Sequence, residues 1–152
     1  MRHDALPHVD EHITDVAARP DAVWRALSDA LDDSFAGPTA RLYARLVGCL
    51  DRASSGPRPL TEGSTLPGFR VVTADQARTL VLRGSHRFSA YTLTFRIEEP
   101  TPGRARLRAE TRAAFPGLTG TLYRHLALTT GIHANGLRRL LTGVRRRAER
   151  AG

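Results

Sequence analysis

Alternation of apolar and polar side chains dominates the segment from Phe69 to Phe115. In the clearest run, apolar residues occupy every second position, at Tyr91, Leu93, Phe95 and Ile97. A period of two predicts strands with one face on a core and the other in water. Turn-forming residues interrupt the pattern at 75–77, 86–89 and 100–103, where hairpins are required. The segment therefore predicts an antiparallel meander of about four strands.

The N-terminal region adds a strand and a helix to this meander. Residues 9–16 alternate loosely and predict a strand. Pro20 and Asp21 suit the first turn of a helix, since Pro lacks an N–H there and Asp complements the helix dipole. Apolar residues at helical spacing then predict a short helix over 20–31, and Asp-Asp-Ser at 32–34 predicts a turn.

Two further helices complete the predicted elements. Apolar residues between Leu42 and Leu50 fall on one helical face, and a loop rich in Gly, Pro and Ser follows over 54–68. After Pro116 and Gly117, the period changes to that of a long helix over 118–149. Its apolar stripe consists of Leu122, Leu126, Thr129, His133, Leu137, Leu140 and Val144.

The length of 152 residues fits one domain over 1–152, with residues 1–8 frayed and 145–152 forming the basic end of the last helix. There is no run of about 18 apolar residues to span a membrane, and residues 1–10 lack the apolar core of a secretory signal. Cys49 is the only cysteine, which excludes an internal disulfide and a multi-cysteine zinc site. We therefore expect a cytoplasmic protein.

The formal net charge is +8, and every basic residue is an arginine. The absence of lysine excludes a Schiff-base lysine and a P-loop lysine. Near the C-terminus the arginines cluster at Arg138, Arg139, Arg145, Arg146, Arg147 and Arg150. Such a cluster suits the negative end of a helix dipole, or it binds an anionic partner. Because no aromatic residues interleave with these arginines, we do not expect a nucleic-acid platform.

Three stretches resemble a known superfamily. The motif Ala17-Ala18-Arg19-Pro20-Asp21-Ala22-Val23-Trp24 resembles the opening of START-like proteins, also called SRPBCC or polyketide cyclase/dehydrase-like proteins. The stretches 66–71 and 118–133 are similar to a bacterial subgroup of that superfamily. The resemblance implies an α+β helix-grip fold, in which a curved antiparallel sheet wraps around a long C-terminal helix, with two short N-terminal helices. It also implies an apolar cavity between sheet and helix. This sequence departs from the best-known members between Gly37 and Pro67, where few strand signals predict a shortened sheet without the usual second strand.

Members of the superfamily bind lipids, sterols, polyketides or plant hormones, and a minority catalyse cyclisation or dehydration. They share no catalytic motif that can be carried over. His133 is the candidate catalytic residue, because the apolar stripe directs it toward the sheet as an acid–base group, a ligand contact or a satisfied core histidine. Tyr123, Tyr91 and, if Gly84 does not mark a bulge, His86 are expected at the same cavity. The predicted apolar lining is Phe95, Phe115, Leu126 and Leu137.

A metal site would need His86, His133 and Glu110 to converge, but Glu110 has the parity of the polar strand face. We therefore predict no metal and no cofactor. Arg106, Arg108 and Arg112 share that face and are expected to form solvated ion pairs around Glu110.

The predicted function is the binding of a hydrophobic small molecule of lipid-like, polyketide-like or aromatic character. One alternative is a cyclase or dehydratase that uses the same cavity. The other is a non-enzymatic interaction module that binds an acidic partner through the arginine-rich C-terminus. Common enzyme motifs are absent, so the sequence leaves the choice between binding protein and enzyme open, and it leaves the oligomeric state open as well.

Overall fold

The computed structural model describes residues 6–35, 53–86, 89–115 and 132–151, and single positions at 38, 42, 45, 46, 48, 49, 51, 117 and 121. For residues 132–134 it describes the backbone alone. The elements are β1 His8–Val16, α1 Pro20–Phe35, β2 Thr65–Leu66, β3 Phe69–Asp75, β4 Thr79–Ser85, β5 Ala90–Thr101, β6 Arg104–Ala114 and α2 Ile132–Ala151.

The six strands form one antiparallel sheet in the order β1-β6-β5-β4-β3-β2. The predicted meander is confirmed as β3 to β6, because consecutive strands joined by tight turns pair with each other. The N-terminal strand pairs with β6 at one edge, and the two-residue strand β2 lies at the other. The α+β class is therefore confirmed.

One face of the sheet carries the core. On this inner face, β4, β5 and β6 bury Leu82, Phe95 and Leu107, each with no exposed surface. The two helices pack against each other, and α1 also contacts β5 and β6 while α2 contacts β1. Their contributions to the core include Leu27 of α1 and Val144 of α2, both fully buried. Burial of each such side chain stabilises the fold by about 1.5–3 kcal/mol.

The predicted turn at 32–34 is wrong, since α1 continues to Phe35. Three polar contacts extend the helix. The Ser34 hydroxyl donates to the carbonyl of Ala30 at 2.8 Å, Asp32 accepts from Arg58 Nε at 2.7 Å, and Asp33 accepts from Arg147 of α2. Because the arginine partners are distant in sequence, local turn propensity could not reveal them.

The predicted loop over 54–68 contains β2, in agreement with the expected shortening of the sheet. Arg58 organises this loop by donating to the carbonyl oxygens of Ser55, Gly56, Pro57 and Thr65 at 3.0–3.2 Å. A second attachment is the N–H of Leu60, which donates to the buried Ser28 hydroxyl of α1 at 3.0 Å. The loop is thereby held against the N-terminal helix.

Of the predicted helix between residues 42 and 50, the structure describes five positions. Leu42 and Leu46 are 56% and 67% exposed, so this part of the apolar face is not buried. Cys49 is buried. Most of the predicted helical stretch 118–131 lies outside the described residues. Within the described part of the chain, neither helix has the apolar run that a bilayer crossing requires.

The edge strand β1 contains a β-bulge. His8 pairs with Arg112 and Asp10 pairs with Thr111, so Val9 is an extra residue in the ladder. C-terminal to the bulge, every second residue from Asp10 to the buried Val16 lies on the inner face. N-terminal to it, His8 lies on the outer face beside Arg112, because one inserted residue reverses the parity.

Candidate ligand-binding site

The inner face becomes less buried toward the end of β4 and the beginning of β5. Phe95 is fully buried in the core cluster, and Leu137 of α2 is 5% exposed in the same cluster. Four residues along β5, Tyr91 is only partly buried. Phe115 lies one residue beyond β6, continues the inner parity of Ala113 and is also partly buried. The predicted residues Phe95, Phe115, Leu137 and Tyr91 thus belong to one side of the molecule.

An aromatic cluster occupies this partly exposed end. The ring centroids of Phe69 and Tyr91 are 5.2 Å apart, and those of Phe35 and Phe69 are 5.4 Å apart, both edge to face. The His86 ring lies 5.5 Å from the Tyr91 ring. Edge-to-face pairs of this kind stabilise by about 0.5–1.5 kcal/mol beyond their burial. The cluster connects the end of α1 to β3, β5 and the β4–β5 turn.

Tyr91 is held in place through two glycines. Its hydroxyl donates to the carbonyl oxygen of Gly68 at 2.7 Å, and the sulfur of Cys49 lies 3.8 Å from the same hydroxyl. Gly84 is the cross-strand partner of Tyr91, and a Cβ at Gly84 would lie 2.0 Å from the Gly68 oxygen and 2.5 Å from the Tyr91 ring. The β4–β5 register continues unbroken to Ser85, so Gly84 marks a close approach of chain segments and not a bulge.

His86 faces inward, as the parity predicted. The backbone N–H of His86 donates to the backbone carbonyl of Ser89 at 2.9 Å, and the ring nitrogen Nε2 lies 3.3 Å from the Ser89 hydroxyl. Burial lowers the pKa of His86 below its ordinary value of 6.5, because desolvation disfavours the imidazolium. The neutral ring is therefore the dominant form at neutral pH, and it offers the site a hydrogen-bonding group without charge.

Asp10 and His12 are site residues that sequence reasoning missed. The two side chains are neighbours on the inner face of β1, and His12 Nε2 lies 3.2 Å from Asp10 Oδ2. The apolar residue between His12 and Thr14, Ile13, is 51% exposed on the outer face, so hydrophobicity in this strand points away from the core. Counting back from Val16 in steps of two identifies the inward residues, and this parity was the available signal.

The inner face of the sheet between the Asp10–His12 pair and the His86–Tyr91 pair is mainly apolar, and we call this surface the floor of the site. Asp10 is opposite Thr111, Thr111 is opposite Leu93, and Tyr91 is the next inward residue along β5 after Leu93. With strands about 4.8 Å apart and a rise of about 3.4 Å per residue, the Cα atoms of Asp10 and Tyr91 are separated by roughly 12 Å. Ala113 fills the remaining position of the floor, opposite Tyr91.

The structure does not describe the side chain of His133, whose backbone lies in the first turn of α2. Tyr123 and Leu126 lie outside the described residues. The roles assigned to these three residues stay predictions.

The outer face carries the ion pairs that the sequence predicted. Arg106 contacts Asp15 at 2.9 Å, Arg112 contacts Glu110 at 3.0 Å, and Arg108 binds both Glu11 and Glu98. Glu110 is therefore on the opposite side of the sheet from His86, and these two cannot converge on one metal ion.

A different group on the outer face, His8, Glu11 and Glu110, places its donor atoms within 4.8 Å of one another. Both carboxylates already accept from arginines, Glu11 from Arg108 and Glu110 from Arg112. Their charge is thereby balanced, which disfavours a bound cation.

The arginines of α2 are partly paired. Arg145 contacts Glu149 at 3.2 Å, and Arg147 contacts Asp33. Arg138, Arg139 and Arg146 are exposed. Binding of an acidic partner by this helix end stays a prediction.

No protein-family model and no curated protein sequence matches the chain. Solved structures do match it. The Zhui aromatase/cyclase from a Streptomyces species is 20% identical, with a TM-score of 0.61 over 95% of this chain and 94% of that one. CalU16 from Micromonospora echinospora is 14% identical, with a TM-score of 0.52 over 95% of this chain and 92% of that one. A Chromobacterium violaceum protein is 10% identical, with a TM-score of 0.56 over 92% and 96%.

Identities this low establish a common fold and leave activity undetermined. The likeness extends over nearly the full length of both chains, in agreement with the resemblance first suggested by the Ala17–Trp24 motif. The chain therefore shares its fold with the Zhui aromatase/cyclase and with CalU16.

Proposed function

We propose that the chain, as one START-like domain, binds a hydrophobic small molecule over the partly exposed end of the inner face. In a helix-grip arrangement this surface faces the C-terminal helix, so the ligand would lie between sheet and helix. The observation that carries the proposal is the incomplete burial of Tyr91, Phe69 and Phe115 at inward positions. Elsewhere on the same face, Phe95 and Leu107 have no exposed surface.

The chemistry of this surface favours a largely apolar, uncharged ligand. Leu93, Ala113 and the aromatic cluster provide apolar contacts. The polar groups beside them are His86 and the Tyr91 hydroxyl, which a hydrogen bond holds in place. Ligand sites commonly combine an apolar lining with a small number of placed polar groups. Lipid-like, polyketide-like and aromatic metabolites meet this description, and the structurally similar Zhui protein is an aromatase/cyclase.

Two adjacent alanines allow a matched test. Ala113 lies on the inner face and Ala114 follows on the opposite face. Ala113→Leu adds bulk to the floor and is expected to weaken binding about tenfold, which corresponds to roughly 1.4 kcal/mol. Ala114→Leu adds the same bulk outside the site and is expected to bind as the wild type does.

Isothermal titration with palmitate, anthraquinone and a flavonoid measures the affinities, and circular dichroism confirms folding of both variants. Native mass spectrometry of the purified protein, before and after denaturation, gives the mass of any ligand retained from the cell. Absence of binding by all probes, together with no retained mass, contradicts the proposal. Equal affinities of the two alanine variants would place the ligand elsewhere.

A cyclase or dehydratase is the second candidate function. The observation that favours it is the presence of two polar groups on one apolar face, His86 with Tyr91 and Asp10 with His12. Such an enzyme needs an acid–base residue and a group that polarises a carbonyl. In this role His133 is the sequence-predicted acid–base residue, and unchanged turnover by His133→Ala would remove it from that role.

A further inference from the structure

We propose that Asp10 and His12 form a proton-accepting pair at the ligand site, and that the ligand carries a weakly acidic hydroxyl group, a phenol or an enol. This inference rests on the proposed function and specifies its substrate class.

The pair has the geometry of an oriented base. His12 and Asp10 are two residues apart on one strand, so their side chains project from the same face, and His12 Nε2 lies 3.2 Å from Asp10 Oδ2. The side chains are 17% and 25% exposed. They are thus shielded enough to strengthen their interaction and open enough to meet a ligand.

The carboxylate decides which ring nitrogen acts. A carboxylate oxygen only accepts, so Nε2 carries the hydrogen in this contact and Nδ1 keeps its lone pair. When Nδ1 takes the proton of a ligand hydroxyl, the O–H bond breaks, an N–H bond forms and the electron pair stays on the ligand oxygen. The imidazolium that results is stabilised by the adjacent carboxylate, and no oxidant or further reactant is required.

Within the described strands, few other ionisable side chains share the inner face with the pair. From Ala105 to Ala113, the inward positions of β6 carry no ionisable side chain, and from Tyr91 to Ile97 those of β5 carry only Tyr91. On α2, the other element against β1, Glu149 accepts from the N–H of Ala17 at 3.0 Å and from Arg145. The bulge at Val9 keeps His8 on the outer face, where its ring lies near Glu110.

Acidity and length restrict the ligand. Proton transfer from a free phenol, with an ordinary pKa near 10, to a free imidazole, near 6.5, costs about 5 kcal/mol, and the attraction between the resulting phenolate and imidazolium must offset this cost. An aliphatic alcohol is far too weak an acid for this exchange. His12, the proton acceptor, lies opposite Ala109, which lies opposite Phe95, so its Cα atom is roughly 17 Å from that of Tyr91. This length suits a linear polycyclic aromatic ligand with its hydroxyl at the His12 end.

The probe for the test is 2-hydroxyanthraquinone, because its phenolate absorbs at longer wavelength than its phenol. We expect the wild type to raise the ratio of bound phenolate to phenol about tenfold over free probe at the same pH, a shift of one pKa unit. His12→Gln is expected to bind the probe without this increase, and Asp10→Asn to reduce it. His8→Gln, on the same strand but the outer face, is expected to retain it.

The outcomes separate the two proposals. Binding with an unchanged phenolate ratio, or an equal increase with His12→Gln, overturns the pair and leaves the binding function standing. Failure of the probe and of the other aromatic ligands to bind overturns both.

Nitrogen NMR of the ligand-free wild type gives an independent answer if His12→Gln does not fold. We expect the wild-type His12 ring to carry its hydrogen mainly on Nε2, and the population of this tautomer to fall in Asp10→Asn. A hydrogen mainly on Nδ1 in the wild type would refute the assignment.

Discussion

Replacing Gly84 by alanine tests whether the close approach around Tyr91 stabilises the fold. A Cβ at this position would lie 2.0 Å from the carbonyl oxygen of Gly68, whereas real Cβ contacts essentially never fall below 3.0 Å. The Gly68 oxygen must therefore move by at least 1.0 Å, the difference between these two distances. Such a movement breaks its 2.7 Å hydrogen bond from Tyr91.

The expected cost follows from these contacts. Overpacking of a tight site costs about 1–3 kcal/mol, and the lost hydrogen bond costs about 1 kcal/mol. The reduced backbone entropy of alanine offsets about 0.5–1 kcal/mol. We therefore expect Gly84→Ala to lower the free energy of unfolding by about 2 kcal/mol. Tyr91→Phe is expected to cost about 1 kcal/mol alone and almost nothing in the Gly84→Ala background, because the bond is already broken there.

Urea unfolding followed by circular dichroism measures these values, and Gly143 provides the control. A Cβ at Gly143, in α2, would meet no atom within 4 Å. Gly143→Ala is therefore expected to raise stability by about 1 kcal/mol through helix propensity. The reasoning is refuted if Gly84→Ala unfolds at the wild-type midpoint, or if the costs of Gly84→Ala and Tyr91→Phe are additive.

Three further predictions concern single polar groups. Ser28→Ala removes the acceptor of the buried Leu60 N–H, so unfolding free energy should fall by about 1–3 kcal/mol; an unchanged urea midpoint would contradict this. Burial lowers the pKa of His86, so wild-type stability should decline as pH falls below 6.5, and His86→Gln should show a shallower decline; identical slopes would speak against burial as the cause. The hydrogen bond from Ala17 N–H lowers the pKa of Glu149 below 4.5. Stability that it contributes above pH 4.5 is therefore lost as pH falls through the folded pKa, and an acid titration of Glu149→Gln should lack that loss.

The meander could be predicted because its evidence is local. Along β5, the inward positions follow strict alternation, and the structure pairs Leu93 and Phe95 with Leu82 and Leu80 on the same face. The start of α1 could be predicted for the same reason, since Pro20 and Asp21 act within their own turn. Its end could not, because Asp33 is held by Arg147 from a distance of 114 residues in sequence.

The candidate site was only partly predictable. Tyr91 and His86 were identified by parity within a strongly alternating segment. Asp10 and His12 were missed because β1 is an edge strand with polar residues on both faces, so hydrophobicity alone does not indicate which face is inward. Parity counted from Val16 indicates the inward face, and pairing with β6, where His12 is opposite the buried Ala109, establishes it. The contact of Gly84 with Gly68 is likewise tertiary and leaves no local signal.

The bulge at Val9 also has a consequence for how relatives of this chain would differ. Deletion of Val9 would give a regular ladder with His8 still opposite Arg112 on the outer face, whereas a regular ladder that kept Val9 would place His8 opposite Ala113 on the inner face. In that second register the Leu6 carbonyl, which accepts from Arg112, and the Pro7 carbonyl, which accepts from the N–H of Ala113, would lose these partners. Loss of the bulge with Val9 retained would thus change which histidine meets a ligand, without any substitution. Homologues aligned across this position should therefore be compared by strand face rather than by residue identity.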